Sequence, residues 1–197
     1  MLDGVKTADW ARVRQGAIVM AVAVAALWVI ELVDLMLHHS LDLFGVRPWT
    51  PSGLVGILFA PLLHSGLAHL AANSVPLFVL GTVLWASGRR EFAVATACGW
   101  VGSGAVAWLL TPPGSVVLGA SGVVMGWTAY LLVRGVLSRN VAHIAIGLVV
   151  AVAYGSLLLG VLPLRAGVSW QAHLGGVLGG VLAAWFLHRR GRPARRR

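Results

Sequence analysis

GAIVMAVAVAALWVIELVDL, residues 16–35, carries no charge from Gly16 to Ile30 and meets carboxylates only at Glu31 and Asp34. Some 20 predominantly apolar residues are what an α-helix needs to cross about 30 Å of hydrocarbon. The stretch is too long for a secretory signal and lacks a small-residue cleavage pattern, so it is expected to remain as a helix whose last turn reaches the interface. Comparable apolar runs follow at about 65–86, 92–110, 119–133, 141–161 and 171–187. The reading is an all-α membrane protein of six transmembrane helices. Composition agrees: of 197 residues, 58% are hydrophobic and 11% charged, and the mean hydropathy is +0.86. Such a chain cannot furnish the polar surface of a soluble domain. Its 25 glycines fit as well, Gly being commoner in membrane helices than in soluble ones.

The charges give an orientation. Six helices leave both termini on one face. That face then holds Lys6, Arg12, Arg14, Arg89, Arg90, Arg134, Arg139 and the six arginines of 189–197, and the other holds only Arg47 and Arg165. Basic residues concentrate on the cytoplasmic side, so both termini are expected there. The net charge of +9 is thus an orientation signal and not a nucleic-acid footprint. The expected division is a cytoplasmic segment 1–15, a membrane domain 16–188 and a basic tail 189–197. Residues 134–140 are read as a connection between the fourth and fifth helices. The one long connection, 38–64, contains an apolar stretch, Leu54 to Leu63, too short to span and expected to lie at or within the interface.

Polar residues inside a membrane are expensive, and three clusters stand out. In the first, His69 and Asn73 are four apart at the start of the second helix, on one face, with His64 just before them. They can donate hydrogen bonds to one point, or simply join helices. In the second, Gly119-Ala120-Ser121-Gly122 opens the fourth helix. Ser121 is uncrowded and sits where free N–H groups favour developing negative charge, although an ordinary helix cap reads the same way. In the third, Ala172-His173 leads into Gly175, Gly176, Gly179 and Gly180, two overlapping small-residue ridges. If these pack against Gly122 and Gly126, His173 comes beside Ser121 and can act as its base. A nucleophile, a base and two donors at one depth are the parts needed for acyl transfer.

The three clusters, in this order and over about residues 45–188, resemble the rhomboid family of intramembrane serine proteases. His64, His69 and Asn73 fall where that family carries its His-x-x-x-His-x-x-x-Asn residues, although the two histidines here are five apart. Gly119 to Gly122 resembles its Gly-x-Ser-Gly motif, and Ala172-His173 with the glycine series its Ala-His-x-x-Gly-x-x-x-Gly motif. The resemblance implies a six-helix rhomboid-like bundle with Ser121 as nucleophile and His173 as general base. His69, Asn73 and the Ser121 N–H would form the oxyanion hole, supported by Gly119 and His64. The substrates implied are single-pass transmembrane proteins cut near the outer end of their helix, with no cofactor. Two positions depart from the pattern: Met125 stands where many members have an aromatic, and Trp49 is followed by Thr50 where many have Arg.

Other classes fit less well. An inactive family member that binds helices would be expected to have lost Ser121 or His173. A small transporter using His38, His39, His64, His69 and His173 calls for intramembrane carboxylates or an internal repeat. There is no His-Glu-x-x-His, and Cys98 is the single cysteine, so neither a disulfide nor a metal site is expected. The expected partners are transmembrane protein substrates and membrane lipid, with no nucleic acid. The expected location is a bacterial cytoplasmic membrane.

Overall fold

The computed structural model describes residues 2–164 and 167–189; Arg165 and most of the basic tail, 190–197, whose charges enter the orientation argument, lie outside them. Seven α-helices follow one another: α1 (Leu2–Met36), α2 (Pro51–Phe59), α3 (Leu67–Ser87), α4 (Arg89–Leu110), α5 (Ser121–Ser138), α6 (Val141–Tyr154) and α7 (Trp170–His188). Short 3-10 segments cover Leu41–Phe44, Ala60–Leu62 and Gly155–Val161. Six stretches are long and apolar enough to cross a membrane: Trp10–Met36, Leu67–Ser87, Arg89–Leu110, Ser121–Ser138, Val141–Val161 and Trp170–His188. These are the six expected spans.

Three boundaries move. α1 begins at Leu2, not near residue 16, because charge ends the apolar segment but not the helix: the backbone hydrogen bonds are satisfied locally in either solvent. α5 continues through Arg134 to Ser138, so Arg134 lies within the helix and not in the following connection. Its side chain is fully buried, with the guanidinium 5.8 Å from the centre of the Tyr130 ring. The fifth span gives up α-geometry at Gly155 and finishes as a 3-10 segment that carries the Gly160 carbonyl.

α5 is the central element and packs on α3, α4, α6 and α7. The glycine ridges of α7 explain how. Gly176 and Gly180 face the backbone of α5 at Gly122 and Gly126, while Gly175 and Gly179 face α4 at Gly102 and Cys98. The two ridges of one helix therefore admit two neighbours at backbone contact, of which the sequence identified only α5. The exposed side chains of α6, among them Val141, Leu148, Val149 and Val152, are apolar, as a lipid-facing surface requires. α1 is peripheral and leans on α3. Met20 packs over Gly81, and Trp28 Nε1 donates to Ser74 Oγ at 3.1 Å.

The long first connection is structured. Thr50 caps α2, its hydroxyl accepting from Gly53 N at 3.1 Å, and Pro51 occupies the first turn where its missing N–H costs nothing. Two tryptophans of α4 hold the segment in place. Trp100 Nε1 donates to Ile57 O at 2.8 Å and Trp108 Nε1 to Thr50 O at 2.9 Å. Trp49, which precedes the departing Thr50, lies 5.8 Å from Trp108 ring to ring.

Candidate active site

Ser121 is the first residue of α5, so its N–H has no partner within the helix. The segment leading into it is tied to the first connection at three points. Val46 and Val117 exchange backbone hydrogen bonds at 2.8 and 2.9 Å, Gly119 N donates to Ala60 O at 2.8 Å, and Ala120 N donates to His64 Nε2 at 3.3 Å. The backbone leading to Ser121 is thus fixed before α5 begins. Gly119 has φ of +116°, and a Cβ there would lie 2.6 Å from His69 Cε1, so both conformation and space require glycine.

His173 enters from the first turn of α7, which Ser169 caps by accepting from Ala172 N at 3.2 Å. Its Nε2 lies 2.8 Å from Ser121 Oγ. Its Nδ1 lies 3.0 Å from Gly160 O in the 3-10 segment. A carbonyl only accepts, so Nδ1 carries the proton and Nε2 is left bare toward the serine. That is the tautomer a general base needs. The sequence did not disclose Gly160: the group it supplies is a backbone oxygen, common to every residue, and no side-chain motif marks it. Met125 occupies the same corner, since a Cβ on Gly160 would touch both Met125 Cε and the His173 ring.

His69 and Asn73 line the same cavity as Ser121 and His173, a space of about 560 Å³ also bordered by Ser65, Val168, Ala172 and, at its edge, Asp42. Asn73 is buried, and Nδ2 donates to His69 O at 2.9 Å, which fixes the amide. His69 Nδ1 lies 3.2 Å from Ser65 Oγ. All four of these expected site residues therefore meet at one cavity. His64 does not line it. It sits behind, buried, its ring edge-on to His69 at 5.1 Å, holding the Ala120 N–H. Burial, and next the His69 ring, pull the His64 pKa down to about 4, so it is a neutral acceptor near pH 7. Asp42 is shifted upward to about 6, first by burial and then by the Asp34 carboxylate.

An all-helical membrane bundle whose central helix opens on a serine hydrogen-bonded to a carbonyl-oriented histidine defines a narrow class of protein. A family model described as the Rhomboid domain matches residues 51–190, and the chain belongs to the rhomboid family. It is also 44% identical over 180 residues to proteins of Mycobacterium tuberculosis and Mycobacterium bovis, covering 87% of this chain and 75% of theirs, and 42% identical to one of Mycobacterium leprae, covering 87% and 71%. Each of these relatives carries only the name of an uncharacterized protein.

Proposed function

We propose that this chain is an intramembrane serine endopeptidase that cuts single-pass transmembrane proteins near the outer end of their helix. The observation that carries the reading is the 2.8 Å contact from Ser121 Oγ to a His173 whose Nδ1 proton is engaged by Gly160 O. His173 Nε2 takes the Ser121 proton as Oγ attacks the scissile carbonyl. The oxyanion so formed is stabilised by the Ser121 N–H, by Asn73 Nδ2 and by His69 from the facing helix. The imidazolium passes its proton to the leaving amine, and the acyl-enzyme is hydrolysed by water that His173 activates in turn. A substrate helix hides its carbonyls in hydrogen bonds, so it must unwind locally before attack. The cavity, with Ser65, His69, Asn73, Ser121 and His173 among its lining residues, gives water and the unwound segment a common place to meet.

The test is cleavage of a single-pass substrate in liposomes by the wild type and by Ser121→Ala and His173→Ala. Both variants should keep their fold and lose at least about a thousandfold in rate, because nucleophile and base act as a unit. Wild-type protein should also react with a fluorophosphonate at Ser121. Cleavage that survives Ser121→Ala refutes the nucleophile. A wild type that neither cleaves nor labels is a helix-binding member without activity.

A further inference from the structure

Three of the chain's six acidic residues, Glu31, Asp34 and Asp42, gather with His39 where α1 ends and the first connection begins. The chain carries fifteen lysines and arginines, yet among the described residues none forms an ion pair with any of the three. His39 is the single basic partner: its Nδ1 lies 3.7 Å from Asp34 Oδ2 and 3.9 Å from Asp42 Oδ2. One ligand atom from each of Asp34, His39 and Asp42 lies within 4.8 Å of the others.

Buried, unpaired oxygens set this group apart from an ordinary acidic cluster. Asp34 is 1% exposed. Its Oδ1 accepts from Leu41 N at 2.7 Å, which fixes the carboxylate, and its Oδ2 points into the group with no hydrogen-bond partner among the described residues. Glu31, one turn earlier and 2% exposed, likewise has Oε1 unpartnered, and so does Oδ1 of Asp42. Buried carboxylate oxygens need a compensating donor or cation. The backbone also turns to bring the imidazole in: His38 and His39 have φ of +54° and +60°, and His39 N donates to Asp34 O at 2.8 Å.

We propose that Asp34, His39 and Asp42, backed by Glu31, bind one divalent cation of the Zn²⁺ type. Carboxylates with one imidazole favour a first-row ion over Ca²⁺ or Mg²⁺, which take oxygen ligands alone. Bonds of about 2.0–2.2 Å at tetrahedral angles put neighbouring ligands about 3.3–3.6 Å apart, so the His39 contacts of 3.7 and 3.9 Å lie within about half an ångström of binding distance. The His39 side chain is 43% exposed and gives the ion a way in. Asp42 also borders the cavity of Ser121, so the ion fastens the start of the first connection to α1 at the cavity rim. The inference stands independently of whether Ser121 cuts.

The experiment uses the full chain in detergent, purified without a polyhistidine tag and stripped with a chelator. Zn²⁺ is titrated by equilibrium dialysis with metal analysis, alongside thermal unfolding. Wild type and Ser121→Ala should each bind one Zn²⁺ with a rise in Tm, undisplaced by millimolar Ca²⁺. His39→Ala and Asp42→Asn, both at partly exposed positions, should fold and bind at least about 10-fold more weakly. His143→Ala, at the opposite end of the bundle, should bind as wild type. Undiminished binding in both His39→Ala and Asp42→Asn, loss of binding in His143→Ala, or displacement by Ca²⁺ overturns the proposal, as does a wild type that binds no Zn²⁺.

Discussion

At the scale of single residues, the site separates into groups that meet the cavity and groups that hold those in place. Ser121, His173, His69 and Asn73 were legible because their side chains are costly in a membrane and fall at fixed spacings. Gly160 and the carboxylate group of α1 were not, since one acts through its backbone and the other is assembled by a turn of left-handed histidines. His64 was legible as a residue but not in its duty, which is to accept the Ala120 N–H. That duty has a pH signature. The fold holds the His64 pKa near 4, below the 6.5 of an unperturbed histidine. A histidine whose folded pKa is depressed contributes its full stability above the unfolded value and loses it as pH falls toward the folded one. Wild-type Tm should therefore drop between pH 6.5 and pH 4, by the equivalent of at most about 3 kcal/mol. His64→Gln keeps an acceptor for Ala120 without titrating, and its Tm should fall less over that window. Parallel Tm curves for the two proteins would show that His64 does not carry the acid sensitivity.

At the scale of elements, the spans were readable because each needs about 20 apolar residues regardless of what it packs against. The first connection was not: its links to the segment before Ser121 are isolated long-range backbone bonds with no periodic pattern, and its anchors, Trp100 and Trp108, reside on another helix. Helix packing was half readable, since a glycine ridge announces a close neighbour but not which one. Ser121 and His173 ride on α5 and α7, so their contact depends on the glycine seam between those helices. A Cβ at Gly176 would press into the Gly122 carbonyl, which neither helix can yield without moving. Gly176→Ala should cost about 1–3 kcal/mol by overpacking and lower activity as the two helices part. Gly155→Ala meets nothing within 4 Å and is the control, expected to leave both unchanged. Thermal unfolding with a cleavage assay decides it, and equal behaviour of the two variants would detach the seam from the site.

For the whole molecule, the two ends of the bundle differ in kind, and the difference ties orientation to chemistry. One end carries Ser121, His173 and the carboxylate group around Asp34; the other carries Arg89, Arg90 and Arg139, with Arg134 buried just inside it. If the arginine end faces the cytoplasm, as the distribution of basic residues favours, the cavity opens to the outside. Water and any metal ion would then enter from the outer face, and substrates would be cut near that surface. Cysteine accessibility tests this directly, because Cys98 is the one native thiol and can be replaced by serine. In that background, Ser115→Cys lies in the exposed turn before Ser121, and Asn140→Cys between α5 and α6 at the opposite end. A membrane-impermeant maleimide applied to intact cells should label the first and not the second, with both labelled after lysis. The reverse pattern would turn the cavity toward the cytoplasm. The Ser121–His173 pair would survive that result, but the proposed site of cleavage would move to the inner end of the substrate helix.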